Sequence, residues 1–354
     1  MKIKKNVLSL CICLTLLSGC QQTQSAYNEK ERPVAGTLSL NASEKTKKIK
    51  DLLEKNHFNG SIYIKKNNKI YTGAFGVKSL NSNDKNTINS MFLVGSANKF
   101  VTAMLIKQLE KEKLLNVNDK VVQYIPNFPN KNSTILDLIL HKSGLKDYKP
   151  VKGNSSLIDS IQQINKDGLS SQWINQYHYN DANYIVLAKI VEIVTNQSYE
   201  KSLAKYILIP NKLKHTATSN NKVLNKYFTQ GMEYKDEKFV SVKPIQVSAY
   251  YGAGNLYMSA RDFGELASKF AENKLFDKTT TQNMTSYRFI NQKYRYGFHI
   301  MNGFYRSRGY FFGQDMLTWF NKDYTIVLAT NKVGSIKDKS NENLMKTVHE
   351  ILMK

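Results

Sequence analysis

Residues 91–100 decide the fold, and they read Met91-Phe92-Leu93-Val94-Gly95-Ser96-Ala97-Asn98-Lys99-Phe100. An apolar run ends in a glycine, and a serine follows with a lysine three residues further on. Residues 97–113 carry apolar side chains at helical spacing, so the pattern predicts a short apolar segment that delivers Ser96 to a helix start. Residues three apart share one face of a helix, and the Lys99 amine is therefore expected beside the Ser96 hydroxyl.

That pairing indicates a serine nucleophile for acyl transfer. A serine hydroxyl needs an adjacent base, and a lysine can be that base once burial lowers its pKa. Backbone N–H groups at a helix start also favour a developing oxyanion. The spacing alone is a weak signal, because Ser-x-x-Lys recurs at five other serines: Ser82, Ser143, Ser198, Ser202 and Ser219. The apolar run and the helix start distinguish Ser96 from these.

The chain is strongly basic. Of its 354 residues 41% are hydrophobic, and 51 Lys and Arg stand against 28 Asp and Glu, which gives a formal charge of +23. A sizeable core is expected, and global disorder is not. Removal of Lys2, Lys4 and Lys5 with the leader described next leaves +20, which favours a polyanionic partner such as an anionic membrane face or a wall polymer. A solvated surface in a Lys- and Asn-rich proteome explains the charge equally well.

Residues 1–19 are predicted to be a lipoprotein signal peptide. A basic start precedes an apolar segment, Val7 to Leu17, that is too short to span a bilayer comfortably. The stretch Leu17-Ser18-Gly19-Cys20 resembles a bacterial lipobox and predicts a lipid anchor on Cys20. An ordinary signal peptide with a chance cysteine is the alternative. Export predicts an extracytoplasmic protein, anchored to the cell membrane or in the cell wall, and it makes nucleic acid an unsuitable partner.

The same leader argues against bound metals and disulfides. Cleavage would remove Cys11 and Cys13 and leave Cys20 as the one cysteine of the mature chain. The six histidines are scattered without metal-ligand spacing, and no phosphate-binding glycine loop is present. His141 is expected to hydrogen-bond within its own turn, and His178 is expected on a solvent-facing loop. We predict neither a metal nor another cofactor.

The remaining pattern predicts one domain behind a tether. Residues 20–45 are polar and lack an apolar period, which predicts a flexible tether, and residues 46–354 form one catalytic domain. Two short strands flank Asn67-Asn68, a hairpin signature, and strands return between residues 310 and 329. Helices fill the middle. This order predicts an α/β fold in which an antiparallel sheet, built from N- and C-terminal strands and flanked by helices, carries a mostly helical inserted region.

The stretch around Ser96 resembles the nucleophile motif of the serine beta-lactamase-like and penicillin-binding protein family, class C type. Three further regions are similar to that family in the same order along the chain: Asn116-Val117-Asn118-Asp119 with Tyr124-Ile125-Pro126, residues 135–145 with a His-x-Ser-Gly-Leu turn, and residues 251–262. The resemblance covers about residue 45 to the C-terminus. It implies a beta-lactamase-like fold and a covalent acyl-enzyme on Ser96.

The resemblance also implies roles for two later segments. The family's Tyr-x-Asn motif corresponds to Tyr179-Asn180-Asp181, with aspartate in place of asparagine. Tyr179 would move protons beside Ser96 and Lys99 as a general acid, although a purely structural tyrosine is the alternative. The family's Lys/His-Thr-Gly strand corresponds to Phe311-Phe312-Gly313, followed by Gln314. Its glycine would let a ligand approach closely, and the N–H groups of Ser96 and Gln314 would form the oxyanion hole.

Both departures from the family point to the same substrate. Phe311 and Phe312 offer no donor to the carboxylate of a peptide stem or a β-lactam, whereas Asp181 suits a substrate with an ammonium group. A D-alanyl ester on a teichoic acid has an amine, an ester carbonyl and no carboxylate. These segments resemble the FmtA-type teichoic acid D-alanine esterases. That subgroup implies removal of D-alanine from wall and lipoteichoic acids, a change in cell-wall charge, weak covalent reaction with penicillins and a part in β-lactam tolerance.

Two other functions stay open from the sequence. A D,D-carboxypeptidase or beta-lactamase could be built on the same fold, but it needs a carboxylate site. A non-catalytic lipoprotein that binds wall polymer is the second alternative, and the presence of Ser96, Lys99 and Tyr179 argues against it.

Overall fold

The structure is a computed structural model that describes residues 37–153, 156–219, 221–287, 291–334 and 340–354. The predicted leader and the anchor Cys20 lie outside these residues. Within the described part, no helix is long and apolar enough to span a membrane. The end of the predicted tether is ordered, because residues 37–39 form a strand and a helix begins at Glu44.

A central sheet joins the two ends of the chain. Its eight strands are β1 (Thr37–Ser39), β2 (Gly60–Lys66), β3 (Lys69–Phe75), β11 (Tyr294–Arg295), β12 (Phe298–Ile300), β13 (Tyr305–Phe311), β14 (Gln314–Phe320) and β15 (Tyr324–Thr330), in the order β1-β3-β2-β15-β14-β13-β12-β11. All neighbours are antiparallel except β1 and β3. N-terminal β2 pairs with C-terminal β15 in a register that runs from Gly60↔Thr330 to Lys66↔Tyr324. The predicted sheet is therefore confirmed.

Three smaller sheets complete the strands. They contain β4 (Met91–Leu93), β5 (Ser143–Leu145), β6 (Leu169–Ile174), β7 (Thr216–Thr218), β8 (Gly231–Lys235), β9 (Lys238–Val242), β10 (Leu256–Ser259) and β16 (Lys332–Val333). Their orders are β4-β10-β7, β16-β8-β9 and β5-β6. The predicted hairpin at Asn67-Asn68 joins β2 to β3, and both asparagines have positive φ, as a two-residue type I′ turn requires.

Helices cover both faces of the central sheet. They are α1 (Glu44–Lys55), α2 (Asn98–Lys111), α3 (Ile135–Ile139), α4 (Leu157–Asp167), α5 (Asp181–Thr195), α6 (Tyr199–Leu203), α7 (Ile209–Asn211), α8 (Leu224–Tyr227), α9 (Ala260–Ala271), α10 (Lys278–Thr285) and α11 (Ser340–Met353). Helices α1 and α11 enclose one apolar core, and α2, α5 and α9 enclose a larger one on the opposite face. Helices α3 to α8 form the predicted helical insertion.

Helix α2 lies in the middle of the larger core. Its residues Asn98 to Ile106 are all buried, which explains why it is apolar on more than one face. Helix α5 is similar, with Ala182 to Ala188 buried. Two central helices packed side by side leave their N-terminal residues as the part of each helix that can reach a surface cleft.

A buried amide at the edge of the sheet fixes where the chain ends meet. Asn331 accepts a hydrogen bond from Asn59 Nδ2 at 2.6 Å and one from Asn86 Nδ2 at 3.3 Å. Its own Nδ2 donates to the carbonyls of Val77, Lys78 and Gln230 at 3.0–3.2 Å. One side chain between β15 and β16 therefore joins the residue before β2, the loop after β3 and the residue before β8.

We expect Asn331→Ala to lower the free energy of unfolding by about 2–4 kcal/mol, because it leaves several buried polar groups without partners. Urea unfolding of the variant beside Asn343→Ala, an exposed position in helix α11, would measure it. An equal effect of the two substitutions would show that the Asn331 network contributes little.

Candidate active site

Ser96 lies at the start of helix α2, where the sequence places it. Strand β4 is followed by a turn of 3₁₀ helix, Gly95–Ala97, and α2 begins at Asn98. Gly95 has φ +50°, and a side chain there would meet the carbonyl of Tyr310 at 2.9 Å. A glycine is therefore needed for both the backbone conformation and the close approach of strand β13.

Lys99 is fully buried and meets three different parts of the chain. Its Nζ donates to Ser96 Oγ at 3.2 Å and to the Ala253 carbonyl at 3.0 Å. It also lies 2.6 Å from Asp181 Oδ1, at the first residue of helix α5. The predicted contact between serine and lysine is present, and Asp181 completes it with a buried ion pair.

The ion pair reverses the predicted direction of the Lys99 pKa shift. Burial alone lowers the pKa of this amine, but the nearby Asp181 carboxylate and the Tyr179 hydroxyl outweigh burial and raise the pKa above its ordinary value. Lys99 therefore rests as an ammonium group, and the expectation that burial would make it a free amine is wrong. The partner that reverses the shift comes from a helix far along the sequence, so the motif around Ser96 could not reveal it.

Tyr179 lies beside the same ammonium group. Lys99 Nζ is 5.0 Å from the centroid of the Tyr179 ring, which is a cation–π distance. The tyrosine is 39% exposed and, with Ser96, lines a cavity of about 270 Å³. The structure therefore brings together the four side chains that the sequence proposes for chemistry: Ser96, Lys99, Tyr179 and Asp181.

The turn that carries Tyr179 is fixed by Asn180 and His141. Asn180 caps helix α5 through its side chain and donates to the carbonyls of Leu145 and Lys146 at 3.0 and 2.7 Å. Its backbone N–H donates to Nδ1 of the buried His141 at 3.1 Å. The His141 ring stacks on the Tyr179 ring with centroids 4.6 Å apart.

His141 is a site residue that the sequence analysis missed. The expected bond within its own turn is replaced by contacts to the segment before α5. Burial and the positive charge of Lys99 keep the pKa of His141 well below its ordinary value, so the ring is neutral. The His-x-Ser-Gly-Leu turn was the only available signal. His178 was expected to face solvent, but its side chain is only 23% exposed, because it stacks on Trp173 at 4.3 Å and its Nε2 lies 2.6 Å from Asp147 Oδ1.

The strand that lies against Ser96 is not the segment that the sequence indicated. A side chain added to Gly309 of β13 would come within 2.6 Å of the Ser96 backbone nitrogen and closer still to the Val94 carbonyl. Gly309 therefore permits the close approach of strand β13 to the turn that carries Ser96. Strand β12 pairs with β13 at Tyr305 and Arg306, and the rest of this edge of β13 is not covered by β12.

The register of the hairpin decides which N–H group can face Ser96. Phe312 and Gly313 both have positive φ and form a two-residue type I′ turn, which places Phe311 and Gln314 in a hydrogen-bonded pair. Bonded and non-bonded pairs alternate along an antiparallel ladder, so the N–H of Tyr310 points away from β14 and towards the cleft. Tyr310 replaces Gln314 as the candidate oxyanion donor.

Gly313 and Gln314 contact neighbouring segments of the fold instead of the cleft. The Gln314 side chain is fully buried, accepts from the Leu93 N–H at 3.0 Å and donates to the Thr229 carbonyl at 3.2 Å. Gly313 packs against the backbone of Gly231 and Met232. Phe311 stays near the site, since its ring meets Tyr250 edge-on at 5.2 Å and lies beside Gly254, and the ring of Phe312 lies 4.4 Å from that of Phe311.

Strand β13 also brings cations to the cleft. Arg306 and Arg308 line the same cavity as Ser96, together with His299 and Tyr310. Phe311 and Phe312 still offer no donor, but Arg306 and Arg308 place two guanidinium groups at the cavity, so the expectation of poor carboxylate binding loses its basis. It followed from aligning the family motif with Phe311 and Phe312.

Known proteins share this architecture and sequence. The Beta-lactamase family model matches residues 46–346. A teichoic acid D-alanine hydrolase of Staphylococcus aureus (strain MRSA252) is 38% identical over 315 residues, which span 88% of this chain and 78% of that protein. The crystal structure of FmtA from Staphylococcus aureus has a TM-score of 0.81 at 38% identity and covers 87% of this chain and 86% of its own. A penicillin binding protein from Bacillus halodurans shares the fold, with a TM-score of 0.73 at 18% identity over 86% of this chain and 99% of its own.

We expect Asp181→Asn to lower the free energy of unfolding by about 2–4 kcal/mol near pH 7, because Lys99 stays buried without its counter-ion. Burial then depresses the folded-state pKa of Lys99 below its unfolded value of 10.5. The unfolded state consequently binds more protons, and the variant gains stability relative to the original chain as pH rises towards 10. Urea unfolding from pH 7 to 10, with the exposed Asp84→Asn as control, measures this. A difference that does not change with pH would contradict the ion pair.

We expect Gly309→Ala to lower the melting temperature strongly, because its methyl group would overlap the backbone around Ser96. Gly254→Ala is the matched control, since the nearest atoms to its methyl group would lie 3.7 Å away. Calorimetry of both variants tests the close approach of β13. Equal melting temperatures would place a different segment against the nucleophile.

Proposed function

The chain belongs to the Beta-lactamase family, and within that family we propose that it is an extracytoplasmic serine esterase that removes D-alanine from wall and lipoteichoic acids. The observation that carries this proposal is the meeting of Ser96, Lys99, Tyr179 and Asp181 at one cleft. The substrate is supported by the 38% identical teichoic acid D-alanine hydrolase. No residue of the proposed mechanism requires a cofactor.

Ser96 forms the acyl-enzyme in this proposal. Its Oγ attacks the D-alanyl carbonyl as its proton passes to Lys99, and Lys99 gives one of its own protons to Asp181 across the 2.6 Å contact. An ion pair can thus act as a base although the lysine rests protonated. The N–H groups of Ser96 and Tyr310 hold the oxyanion.

Tyr179 completes the proton balance. Its hydroxyl protonates the polymer alcohol as the ester bond breaks, and the tyrosine recovers a proton from the Lys99 and Asp181 pair. The net transfer carries the Ser96 proton to the leaving alcohol and restores the resting state. Water then attacks the acyl group by the reverse path and releases D-alanine.

Asp181 has a second proposed part, as the group that faces the substrate ammonium. Its side chain is 31% exposed, so one edge of the carboxylate can face the cleft. Lys99 neutralises part of its charge, which makes this attraction weaker than the sequence suggested. The ring of Phe311 forms an apolar wall of the cleft on the side of Tyr250.

The location of the enzyme is part of the proposal. A lipid anchor on Cys20 would hold the domain at the outer membrane face, where lipoteichoic acid is within reach. The formal charge of +20 left after the leader favours that polyanionic surface.

A D,D-carboxypeptidase or beta-lactamase activity is the second candidate. Arg306 and Arg308 in the cavity beside Ser96 favour it, because a guanidinium group can bind a substrate carboxylate. Turnover of a chromogenic cephalosporin or a D-Ala-D-Ala peptide, without release of D-alanine from teichoic acid, would replace the first proposal with this one.

We expect Ser96→Ala to abolish release of D-alanine from purified D-alanylated lipoteichoic acid, because it removes the hydroxyl that lies 3.2 Å from Lys99 Nζ. Free D-alanine is measured with a coupled oxidase, and Ser79→Ala serves as the matched control. Unchanged release by Ser96→Ala would remove the mechanism. Labelling of the original chain by a fluorophosphonate at Ser96 gives an independent check on the nucleophile.

A further inference from the structure

The cavity beside Ser96 continues into a second one. The first is lined by Ser96, Arg306 and Arg308, and the second, of about 360 Å³, by Lys142 and Lys293. Tyr294 and His299 line both, with their rings 4.8 Å apart edge-on, so the two cavities adjoin at this pair. A groove therefore leads from the nucleophile across two rings to a second basic region.

Basic side chains line the groove. Four of its side chains are cations, and no Asp or Glu is among the described residues that line either cavity. His299 adds no charge near neutral pH, because burial and the Arg306 charge lower its pKa. A cleft of this kind concentrates an anionic ligand.

The carboxylates that pair with the arginines approach from outside the groove. Glu342 of helix α11 accepts from Arg306 Nε at 2.9 Å, and buried Asp315 accepts from Arg308 Nε and Nη2 at 3.0 and 2.7 Å. These bonds hold the guanidinium groups in place from the α11 side. The arginines are thereby positioned along the cleft wall before any ligand arrives.

We propose that this groove binds the phosphodiester backbone of the substrate, with one phosphate at Arg306 and Arg308 beside Ser96 and a later phosphate of the same strand at Lys142 and Lys293. The inference rests on the proposed function and specifies it: the leaving group is recognised as part of a phosphate polymer. Guanidinium groups suit a phosphate near the scissile ester, because they donate to two oxygens in one plane. Lysines suit the outer region, where a flexible chain needs charge more than fixed geometry.

The test compares three substrates with the purified full-length chain: D-alanyl glycerol, D-alanyl glycerol phosphate and D-alanylated lipoteichoic acid. We expect the double variant Lys142→Gln, Lys293→Gln to lower kcat/KM for lipoteichoic acid relative to D-alanyl glycerol by about tenfold or more. We also expect Arg306→Gln to lower kcat/KM for D-alanyl glycerol phosphate relative to that for D-alanyl glycerol. Added salt should weaken the preference of the original chain for the polymer.

Two further variants sharpen the comparison. Glu342→Gln keeps an acceptor oxygen for Arg306 but removes the negative charge, so the preference for D-alanyl glycerol phosphate should rise. Lys48→Gln is the control, because it removes the charge of a side chain on helix α1 that is 63% exposed. All three rates should stay unchanged in this variant. A gain in phosphate preference with Glu342→Gln and a loss with Arg306→Gln cannot both come from general damage to the fold.

Several results would contradict the proposal that the groove binds the phosphodiester backbone. One is an equal loss on all three substrates, and another is no change in the ratio with any variant. A third is loss of binding to phosphatidylglycerol vesicles with polymer cleavage intact, which would make the basic region a membrane contact. Failure of the esterase proposal is separate: the original chain would then release no D-alanine, while Ser96→Ala could still bind glycerol phosphate polymer without D-alanine in a manner that depends on Lys142 and Lys293.

Discussion

The buried Lys99 ammonium is the interaction on which the site depends. An unpaired charge in the core costs several kcal/mol, so helix α2 can be buried only when partners reach its lysine. Those partners are the Ala253 carbonyl before β10 and the Asp181 carboxylate at the start of α5. The contacts that make burial tolerable thus also fix the distance from Lys99 to Ser96. The same contacts of Lys99 therefore support both the stability of the fold and the proposed chemistry.

Local pattern was enough to predict the nucleophile segment and the sheet. An apolar strand, a glycine and a continuation with apolar residues at helical spacing together predict a strand, a turn and a helix from local sequence alone. Strand patterns near both ends, with helices between them, similarly required the ends to pair. The confirmed pairing of β2 with β15 and the contact of Ser96 with Lys99 follow from such near-neighbour rules.

Features that depend on register or on distant partners could not be predicted in this way. Gly309 lies in strand β13 and Gly313 in the turn that follows it, and only the position of that turn shows which of them faces Ser96. The direction of the Lys99 pKa shift needed Asp181, which the motif around the serine does not contain. His141 was missed because its part in the site is packing against Tyr179, and packing leaves little trace in a single sequence.

The link between strand β13 and helix α11 makes one wall of the cleft depend on a helix that is far from the nucleophile in sequence. Arg306 and Arg308 are held by Glu342 and Asp315, and Asn341 donates to Asp315 at 3.0 Å. The cleft wall therefore needs the last fourteen-residue helix of the chain, Ser340–Met353, to be in place. A ribosome-bound fragment that already contains Ser96, Lys99 and Tyr179 still lacks that support. The arginine wall of the cleft can therefore take its final arrangement only after folding has brought helix α11 against the central sheet.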